Sequence, residues 1–275
     1  MPNWFVCNQP CPVRAFAWPQ AAYIHRMNMR RLYRLTGPDA LPFLQGLVTN
    51  DVLPLAKGPG LVYAALLTPQ GKYLADFFVG QTAHGLILDL PEVLAEATIR
   101  RLSMYRLRAD VQIAPVPELF IHRGLGPCPA DGFADPRDAS LGWWAVRDVP
   151  PEADGTDWTA LRVAALVPEA GVELIPDDSY ILEAGFERLH GVDFRKGCYV
   201  GQEVTARMKH KTELRKGLVK VAVEGAAPVG TPILANGKEA GILFSQSGGQ
   251  AIAWMRHDRI QPVMQAGDAL VRPRD

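Results

Sequence analysis

"KGCYVGQEVTAR", residues 196–207, sets a single thiol between two glycines and directly ahead of a helical pattern. Gly197 and Gly201 permit backbone angles and close contacts that other residues resist. Cys198 follows the ammonium of Lys196 by two residues. Lysine and the positive end of a helix both stabilise a thiolate relative to a thiol. The segment therefore predicts a loop that holds a reactive cysteine.

The residues after this thiol have helical spacing. Val204 and Met208 fall on one face of the run that begins at Gly201, and Glu203 precedes Arg207 in the favourable i,i+4 order. The preceding "GVDF", residues 191–194, is typical of a short strand. The pattern predicts a strand, a tight loop and a helix.

Other interpretations of these residues stay open at this point. A lone cysteine is often a small buried apolar residue, and the Glu203–Arg207 pair can simply brace a helix. A hydrolase with a Cys–His pair would need His190 or His210 beside the sulfur, and sequence spacing does not place either there.

Length and composition restrict the classes of protein. The length of 275 residues indicates two or three globular domains, and a hydrophobic fraction of 48% is ample for a large core. The formal net charge is zero, so nucleic-acid binding would need a local basic patch. No apolar run approaches the 20 or so residues of a membrane span. Four cysteines, at positions 7, 11, 128 and 198, are too few for a disulfide framework and indicate a reducing compartment.

The first 28 residues differ from the rest of the chain. They contain arginines and prolines but no acidic residue, so we interpret 1–28 as an extension or an upstream start, with Met29 opening the folded part. Cys7 and Cys11 allow a metal site, although a Cys-x3-Cys pair without further ligands favours a simple tail.

The pattern from residue 29 to about 212 predicts an α+β region. It contains a strand at 30–35, a short helix capped by Asp39, a β-hairpin around "TPQGK", and a further strand. A helix follows Pro91, with an expected apolar face of Val93, Leu94, Ala97 and Leu102. Strands are expected around "ELFIHRG" and "GWWAVR" within the irregular stretch 115–160, and a capped amphipathic helix over 177–191.

The C-terminal part, residues 213–275, has short strand patterns separated by turns such as "ANGK". Strands at this spacing predict a small β-barrel. The predicted domains are therefore an extension at 1–28, an α+β region at 29–212 with two interleaved subdomains, and a barrel at 213–275.

Two basic clusters allow alternative interpretations. Each is either a solvated surface or a docking site for an acidic partner, a polyglutamate tail or an RNA backbone. The first consists of Arg207, Lys209, Lys211, Arg215 and Lys216, and the second of Arg100, Arg101, Arg106 and Arg108.

Beyond these physical inferences, the motif "GVDF…KGCYVGQEVTAR" resembles the signature of the YgfZ/GcvT-type folate-binding proteins, which act in iron–sulfur protein maturation. The segments "LTGPDALPFLQGLVTNDV", "LLTPQGKYLADFFV", "RLSMYRLRADV" and "GQAIAWMR" resemble that family in the expected order. The resemblance extends from Met29 to the C-terminus.

The resemblance implies a three-domain aminomethyltransferase-like ring of ferredoxin-like α+β subdomains, with a C-terminal β-barrel and a cavity for tetrahydrofolate or a one-carbon derivative. Cys198 and Lys196 are then expected at the cavity as the working thiol and its helper, with Glu203 and Arg207 orienting the loop. The expected folate-binding residues are Asn50, Asp76, Gly197, Tyr199, Gly201 and Gln202.

Two acids of the related glycine-cleavage aminomethyltransferases are missing. The resemblance places Ala75 and Ala164 where that branch carries carboxylates, and a carboxylate is the acceptor that a pterin N–H edge needs. This argues against efficient aminomethyl transfer, while Asp76 still offers an acceptor. Glu183, in "LEAG", is interpreted as part of the 177–191 helix instead.

The leading hypothesis is a tetrahydrofolate-binding factor that assists iron–sulfur cluster assembly, insertion or repair. A folate-dependent one-carbon transferase and a binding module associated with RNA or tRNA modification are the alternatives. Iron–sulfur assembly or client proteins are the expected partners of a monomer that binds no membrane and makes no direct nucleic-acid contact. No permanently bound metal is expected. The expected location is the cytoplasm, or the mitochondrial matrix in a eukaryote.

Overall fold

The computed structural model describes residues 29–211 and 213–274. The extension at 1–28, with Cys7 and Cys11, lies outside these residues. The described part contains a five-stranded sheet, a three-stranded sheet and a closed barrel. None of its helices is both long enough and apolar enough to cross a membrane.

The first sheet is antiparallel and is formed by five strands in the order β2-β3-β4-β1-β5. They are β1 (Arg30–Thr36), β2 (Gly60–Leu67), β3 (Tyr73–Thr82), β4 (Gly85–Pro91) and β5 (Gln112–Pro115). The strand predicted at 30–35 and the hairpin around residues 68–72 are both present. Side chains alternate between two buried cores, one on each face of the sheet.

One face is covered by α1 (Ala40–Gln45), a 3-10 turn (Leu53–Lys57) and α2 (Glu92–Tyr105). Asp39 precedes α1 as predicted, but its side chain makes no capping hydrogen bond to the helix. Its carboxylate instead accepts from the Asp110 amide at 2.9 Å. Asp39 therefore ties α1 to the chain that leads into β5.

Helix α2 buries only part of the predicted face, because Leu102 is buried and Leu94 packs against both cores but the other two residues do not. Val93 and Ala97 are exposed, and the fully buried residues are Ala95, Thr98 and Leu102. Each residue advances about 100° around an α-helix, so positions 93 and 97 lie opposite the buried row. Several small apolar residues left the choice of face open, and the docking surface of β1 and β4 decides it.

The second sheet covers part of the other face, with strand order β6-β8-β7. It consists of β6 (Phe120–Gly124), β7 (Phe133–Ala134) and β8 (Trp143–Arg147), which confirms the two strands predicted within 115–160. The fully buried Trp144 belongs to the core between the sheets.

The chain between the second sheet and the barrel is mostly irregular. A short helix, α3 (Trp158–Ala164), is followed by successive turns over 177–191 instead of the predicted helix. Backbone bonds there span three, four or five residues, as in Gly191 N–H to Phe186 O. The segment 191–194 is also not a strand, because its backbone bonds to a loop: Thr49 accepts from the Asp193 amide and donates to the Gly191 carbonyl.

Residues after 215 form the predicted barrel, closed in the order β10-β11-β12-β9-β14-β13. The turn at Asn236 and Gly237 connects two of its strands. The strands are β9 (Lys216–Glu224), β10 (Thr231–Ala235), β11 (Lys238–Ser247), β12 (Gln250–Arg256), β13 (Met264–Ala266) and β14 (Ala269–Pro273).

Main-chain and lysine side-chain contacts attach the barrel to α3 and the irregular segment. The Leu218 amide donates to the Glu183 carbonyl at 2.8 Å, and the Lys216 ammonium lies 3.6 Å from the Glu183 carboxylate. The Lys220 ammonium donates to the Ala164 carbonyl at 3.0 Å. Glu183 is thus a contact between the barrel and the rest of the chain.

The predicted helix after the cysteine is α4 (Gln202–Lys211), and its start touches the turn between β2 and β3. Gly201 has φ +85°, and a Cβ there would lie 2.6 Å from the Thr68 carbonyl oxygen and 3.2 Å from the Gly71 Cα. Gly71 in turn has φ +74°, and its Cβ would lie 2.8 Å from Val204. Two glycines therefore allow two backbones to meet.

Replacing Gly201 by alanine should destabilise the fold by about 3 kcal/mol or more, because left-handed strain and overpacking each add about 1–2 kcal/mol or more. Gly197→Ala is the matched control: its φ is also positive, at +95°, but nothing lies within 4 Å of the new Cβ. We expect a loss of only about 1–2 kcal/mol there. Urea unfolding measures both, and equal losses would refute the close contact.

Candidate functional site

A polar cleft opens between the first sheet, the second sheet and the chain around α3. Its interior offers about 60 Å³ to the centres of water-sized molecules, and the whole space between its walls, including open solvent at the mouth, is about 780 Å³. Its lining includes four guanidinium groups, four carboxylates and the rings of Phe78, Trp144 and Trp158. The charged residues are Arg30, Arg123, Arg137, Arg162, Asp76, Asp89, Asp135 and Glu169.

Asp76 is buried in this cleft and accepts two phenolic hydrogen bonds. The Tyr63 hydroxyl donates at 3.0 Å and the Tyr73 hydroxyl at 2.6 Å. Burial, and then the negative charge of Asp76, raise the pKa of both tyrosines well above the usual value, so both phenols stay protonated donors. Asp76 therefore has two fixed donors and presents its carboxylate to the cleft.

A β-bulge produces this arrangement. Ala75 pairs with Leu66 but Tyr73 pairs with Leu67, so Leu74 is an extra residue on β3. The extra residue turns Tyr73 onto the same face as Asp76, although the two are three positions apart. Ala75 points into the core on the opposite face.

The other three carboxylates in the cleft form ion pairs with arginines. Asp89 accepts from Arg30 at 2.6 Å and also from the Trp144 indole at 2.7 Å. Asp135 accepts hydrogen bonds from Nε and Nη2 of Arg137, and the Glu169 carboxylate lies 3.0 Å from Nε of Arg162. Burial, opposed by Arg162, raises the pKa of Glu169.

Sequence reasoning missed most of these residues. Arg123 and Arg137 are arginines in or beside short apolar strands, and Glu169 lies in an irregular turn. The sequence signal for part of the cleft was the pair of opposite charges in "DPR", residues 135–137. In the structure these two side chains form an ion pair. The cleft residues come from four separate stretches of chain, so no local pattern reports them.

Cys198 lies on the surface, in a loop whose neighbours are anchored. The thiol is exposed, which excludes the alternative of a buried apolar cysteine. The ammonium of Lys196 donates to the carbonyls of Gln45 and Val48, at 2.5 and 2.8 Å. The Gln45 amide returns a bond to the Lys196 carbonyl at 3.1 Å. Lys196 thus fixes the loop against the end of α1.

The other motif residues are distributed around the thiol. The ring of Tyr199 is buried in the core that also contains Tyr63, and the Lys196 ammonium lies 4.8 Å from its centroid. Gly197 is exposed, and Gly201 and Gln202 start α4. Burial raises the pKa of Tyr199. The motif therefore combines a buried anchor with an exposed sulfur.

Glu203 and Arg207 do not orient this loop as expected. They bond to each other at 3.0 Å on the outer surface of α4, with side chains 85% and 62% exposed. Such an exposed i,i+4 pair contributes little. The positions point away from the loop because α4 uses Val204 and Thr205 to pack on the β2–β3 turn and core.

Of the six expected folate-binding residues, only Asp76 lines the cleft. The Asn50 amide donates to the carbonyls of Tyr63 and His190, at 2.8 and 2.6 Å, and so braces the core beside it. Gly197, Tyr199, Gly201 and Gln202 are absent from the cleft lining and lie with the thiol loop. The structure thus forms two separate groups, the cleft around Asp76 and the loop around Cys198.

The two histidines near the motif have other partners. His190 Nδ1 lies 2.8 Å from the Pro136 carbonyl oxygen, and the His210 ring meets Phe194 edge-on. Within the described chain, no Cys–His pair is formed at Cys198, and no cluster of three or more His, Cys, Asp or Glu is placed to hold a metal.

Comparison with known proteins agrees with this architecture. A family model described as the CAF17 C-terminal β-barrel domain matches residues 215–275. The glycine cleavage aminomethyltransferase T of Bartonella henselae has a similar fold, with a TM-score of 0.70 over 90% of this chain and 84% of that one. At 15% identity this likeness concerns the fold alone. It confirms the predicted aminomethyltransferase-like α+β architecture with a terminal barrel.

Three curated relatives match nearly the whole chain. The mitochondrial iron–sulfur cluster assembly factor IBA57 of mouse is 31% identical over 91% of this chain and 81% of its own length. The human protein is 32% identical over the same shares. The chain belongs to the IBA57 family. A fungal IBA57 homologue, from Mycosarcoma maydis, is 30% identical over 93% of this chain and 68% of its own.

In this IBA57-family protein, the pKa of Lys196 is lowered from 10.5 to about 8, chiefly by burial, while Asp51, Asp193 and Cys198 oppose the shift. The folded state therefore binds this proton less tightly than the unfolded chain does. Between about pH 8 and pH 10.5 the unfolded state binds more protons, so the free energy of unfolding should rise with pH.

Urea unfolding of the wild type and Lys196→Met across this pH range isolates the effect. The variant lacks the titrating group, so the stability difference between the two proteins should grow in favour of the wild type as pH rises. A difference that stays constant with pH would contradict the lowered pKa.

Proposed function

We propose that this protein is an iron–sulfur cluster assembly factor that presents Cys198 to its cargo and binds a reduced folate in the cleft around Asp76. The relatives named as iron–sulfur cluster assembly factors align over about nine-tenths of the chain, and the thiol loop lies within that span. The assembly role follows this relationship. The assignment of residues follows the geometry.

The exposed thiol carries the proposal. Cys198 lies between Lys196, whose ammonium is bound by two main-chain carbonyls, and Tyr199, which is buried in the core. A cysteine retained for packing would be covered by apolar neighbours. A solvent-facing sulfur on anchored backbone instead suits contact with a second molecule.

The chemistry expected of this sulfur is ligation of a cluster in transit. The S–H bond loses its proton to solvent as the sulfur forms a bond to an iron atom, and one ligand supplied by the carrier leaves that iron. Delivery to a client reverses these changes, with no change of oxidation state. A single thiol suits such a temporary role, because resident clusters commonly take four thiolates.

The cleft fits a pterin ring. Asp76 supplies an anionic acceptor of the kind that binds two adjacent N–H groups, and Phe78, Trp144 and Trp158 supply aromatic walls. The phenols of Tyr63 and Tyr73 fix the carboxylate before a ligand arrives. When bound, a reduced folate can carry a one-carbon unit.

The alternative of aminomethyl transfer finds less support. Ala75 is buried on the far face of the sheet. Ala164 is absent from the described cleft lining and uses its carbonyl to hold Lys220 of the barrel. The other acid near this point, Glu169, is paired with Arg162. The cleft therefore has one carboxylate without an arginine partner, which suits binding better than acid–base turnover.

Partners and location follow the relatives. Their shared name supports carriers and clients of iron–sulfur assembly as partners. Their mitochondrial names support the matrix expectation for a eukaryotic source and give no support to the cytoplasm. The basic side chains near α4 are partly neutralised, since Lys209 bonds to Glu187, so RNA binding gains no support from this surface.

The Cys198→Ala variant, expressed in a strain from which the wild-type gene is deleted, should not restore function. Iron–sulfur enzyme activities should stay at the level of the deletion strain. The matched control is Cys128→Ala, because Cys128 is also a free, exposed cysteine but lies outside the motif. This control should restore those activities fully. Full restoration by Cys198→Ala would eliminate the thiol role.

Replacing Asp76 by asparagine should weaken tetrahydrofolate binding by roughly 10–100-fold, the range expected for losing a charged hydrogen-bond acceptor. Anaerobic titration calorimetry measures this change. Asp268→Asn, an exposed change on the barrel, should leave the affinity unaltered. Unchanged binding by the Asp76 variant would remove the cleft from folate recognition.

A further inference from the structure

The formal charges of the cleft residues cancel, but the ion pairs leave one cation and one anion without an oppositely charged partner. Four arginines and four acids line it. Arg30 pairs with Asp89, Arg137 with Asp135, and Arg162 with Glu169. The remaining carboxylate is Asp76, held by two tyrosines, and the remaining guanidinium is Arg123.

Arg123 lies on β6 with its guanidinium over the indole of Trp158, 4.4 Å from the ring centroid. Among the residues that the structure describes, no carboxylate oxygen lies within 4.0 Å of it and no hydrogen bond to it is formed. A guanidinium has five N–H donors, and stacking on a ring leaves its edge free.

The surroundings of Arg123 favour an anion. Burial, and then the positive charges of Arg30 and Arg137, lower the pKa of Arg123 to about 10, so the group stays charged near neutral pH. A half-buried cation beside two others is unfavourable unless an anion joins it. The cleft is therefore electrostatically incomplete at this point.

The carboxylates that line the cleft already have partners within the described residues, since two tyrosines hold Asp76 and the other three pair with arginines. Asp89 and Glu169 influence Arg123 from a distance but are committed to other arginines. Asp154 is on the surface and accepts from the Thr156 amide at 3.0 Å. A ligand carboxylate is therefore a suitable complement for this guanidinium.

We propose that Arg123, stacked on Trp158, is the anion-binding subsite of the cleft and takes a carboxylate of the ligand whose ring lies at Asp76. This inference rests on the proposed function. The cleft then selects a molecule that carries both N–H donors and a carboxylate. A pterin with a glutamyl tail has this chemistry.

A carboxylate fits this subsite better than a phosphate. Guanidinium and carboxylate are both planar and form two parallel hydrogen bonds. Arg123 is the one cleft guanidinium without a carboxylate partner, so a single ligand carboxylate would pair with it. A phosphate monoester would bring about two negative charges to a cleft whose other arginines are already paired.

The test combines two ligands with two cleft variants. Tetrahydrofolate carries the glutamyl tail, and 6-methyltetrahydropterin has the ring without it. Arg123→Met should weaken tetrahydrofolate binding by roughly 10–100-fold and change the binding of the tailless pterin by less than about twofold. Arg123→Lys, which keeps the charge but loses the planar fork, should give an intermediate loss. Asp76→Asn should weaken both ligands.

The two ways in which this inference can fail are distinct. Equal losses of both ligands in Arg123→Met would reduce Arg123 to a structural residue, and an unchanged tetrahydrofolate affinity would also overturn the inference. Thermal unfolding of each variant verifies that it is folded. If Arg123→Met does not fold, the comparison of the two ligands is made with Arg123→Lys.

A third probe, p-aminobenzoylglutamate, separates the inference from the proposed function. If the wild type binds this tail fragment in an Arg123-dependent way but binds neither pterin, the anion subsite stands and the folate assignment falls. If the wild type binds none of the three probes, both are overturned.

Discussion

The close contact between Gly71 and Gly201 is the constraint on which the arrangement of the thiol loop depends. It brings the turn of the β2–β3 hairpin against the start of α4 with no room for a Cβ on either side. Because β2 and β3 belong to the main sheet, the contact fixes the helix, and the loop ahead of it, relative to that sheet. Lys196 and Gln45 then hold the other end of the loop. Cys198 lies between these two attachments, so its thiol is exposed while the backbone on both sides is held.

The cleft depends on a second constraint, the alternation of side chains along β3 and β4. Alternation puts Asp76, Phe78 and Asp89 on one face, and the bulge at Leu74 adds Tyr73 to them. Carboxylates on a buried sheet face require partners. The first sheet itself supplies Arg30 for Asp89 and the phenols of Tyr63 and Tyr73 for Asp76. The second sheet adds the Trp144 indole, which bonds to Asp89 as it covers the face.

Arg162 connects this cleft with the barrel. It lines the cleft, pairs with Glu169 and the fully buried Glu173, and donates to the Ser245 hydroxyl of β11. Glu173 also accepts from the Ser245 amide at 3.2 Å. The barrel therefore supports one wall of the cleft through hydrogen bonds of Ser245 to both members of an ion pair. That role explains why a domain without cleft residues of its own packs so firmly against α3.

The local sequence determined most of the strands, the hairpin, the barrel and the helix after the cysteine, because alternation and turn residues act over a few positions. The local pattern also singled out Cys198, and the family resemblance singled out Asp76. The local sequence did not determine that Cys198 is exposed, that segment 177–191 is a run of turns, or that Arg123 is left without a carboxylate partner among the described residues. Those outcomes depend on which distant groups meet, and hydrogen bonds and ion pairs between separate segments leave no periodic trace in the chain. Tertiary structure decided them because burial forces charges to find partners in space, and the partners of the cleft are up to several dozen residues apart.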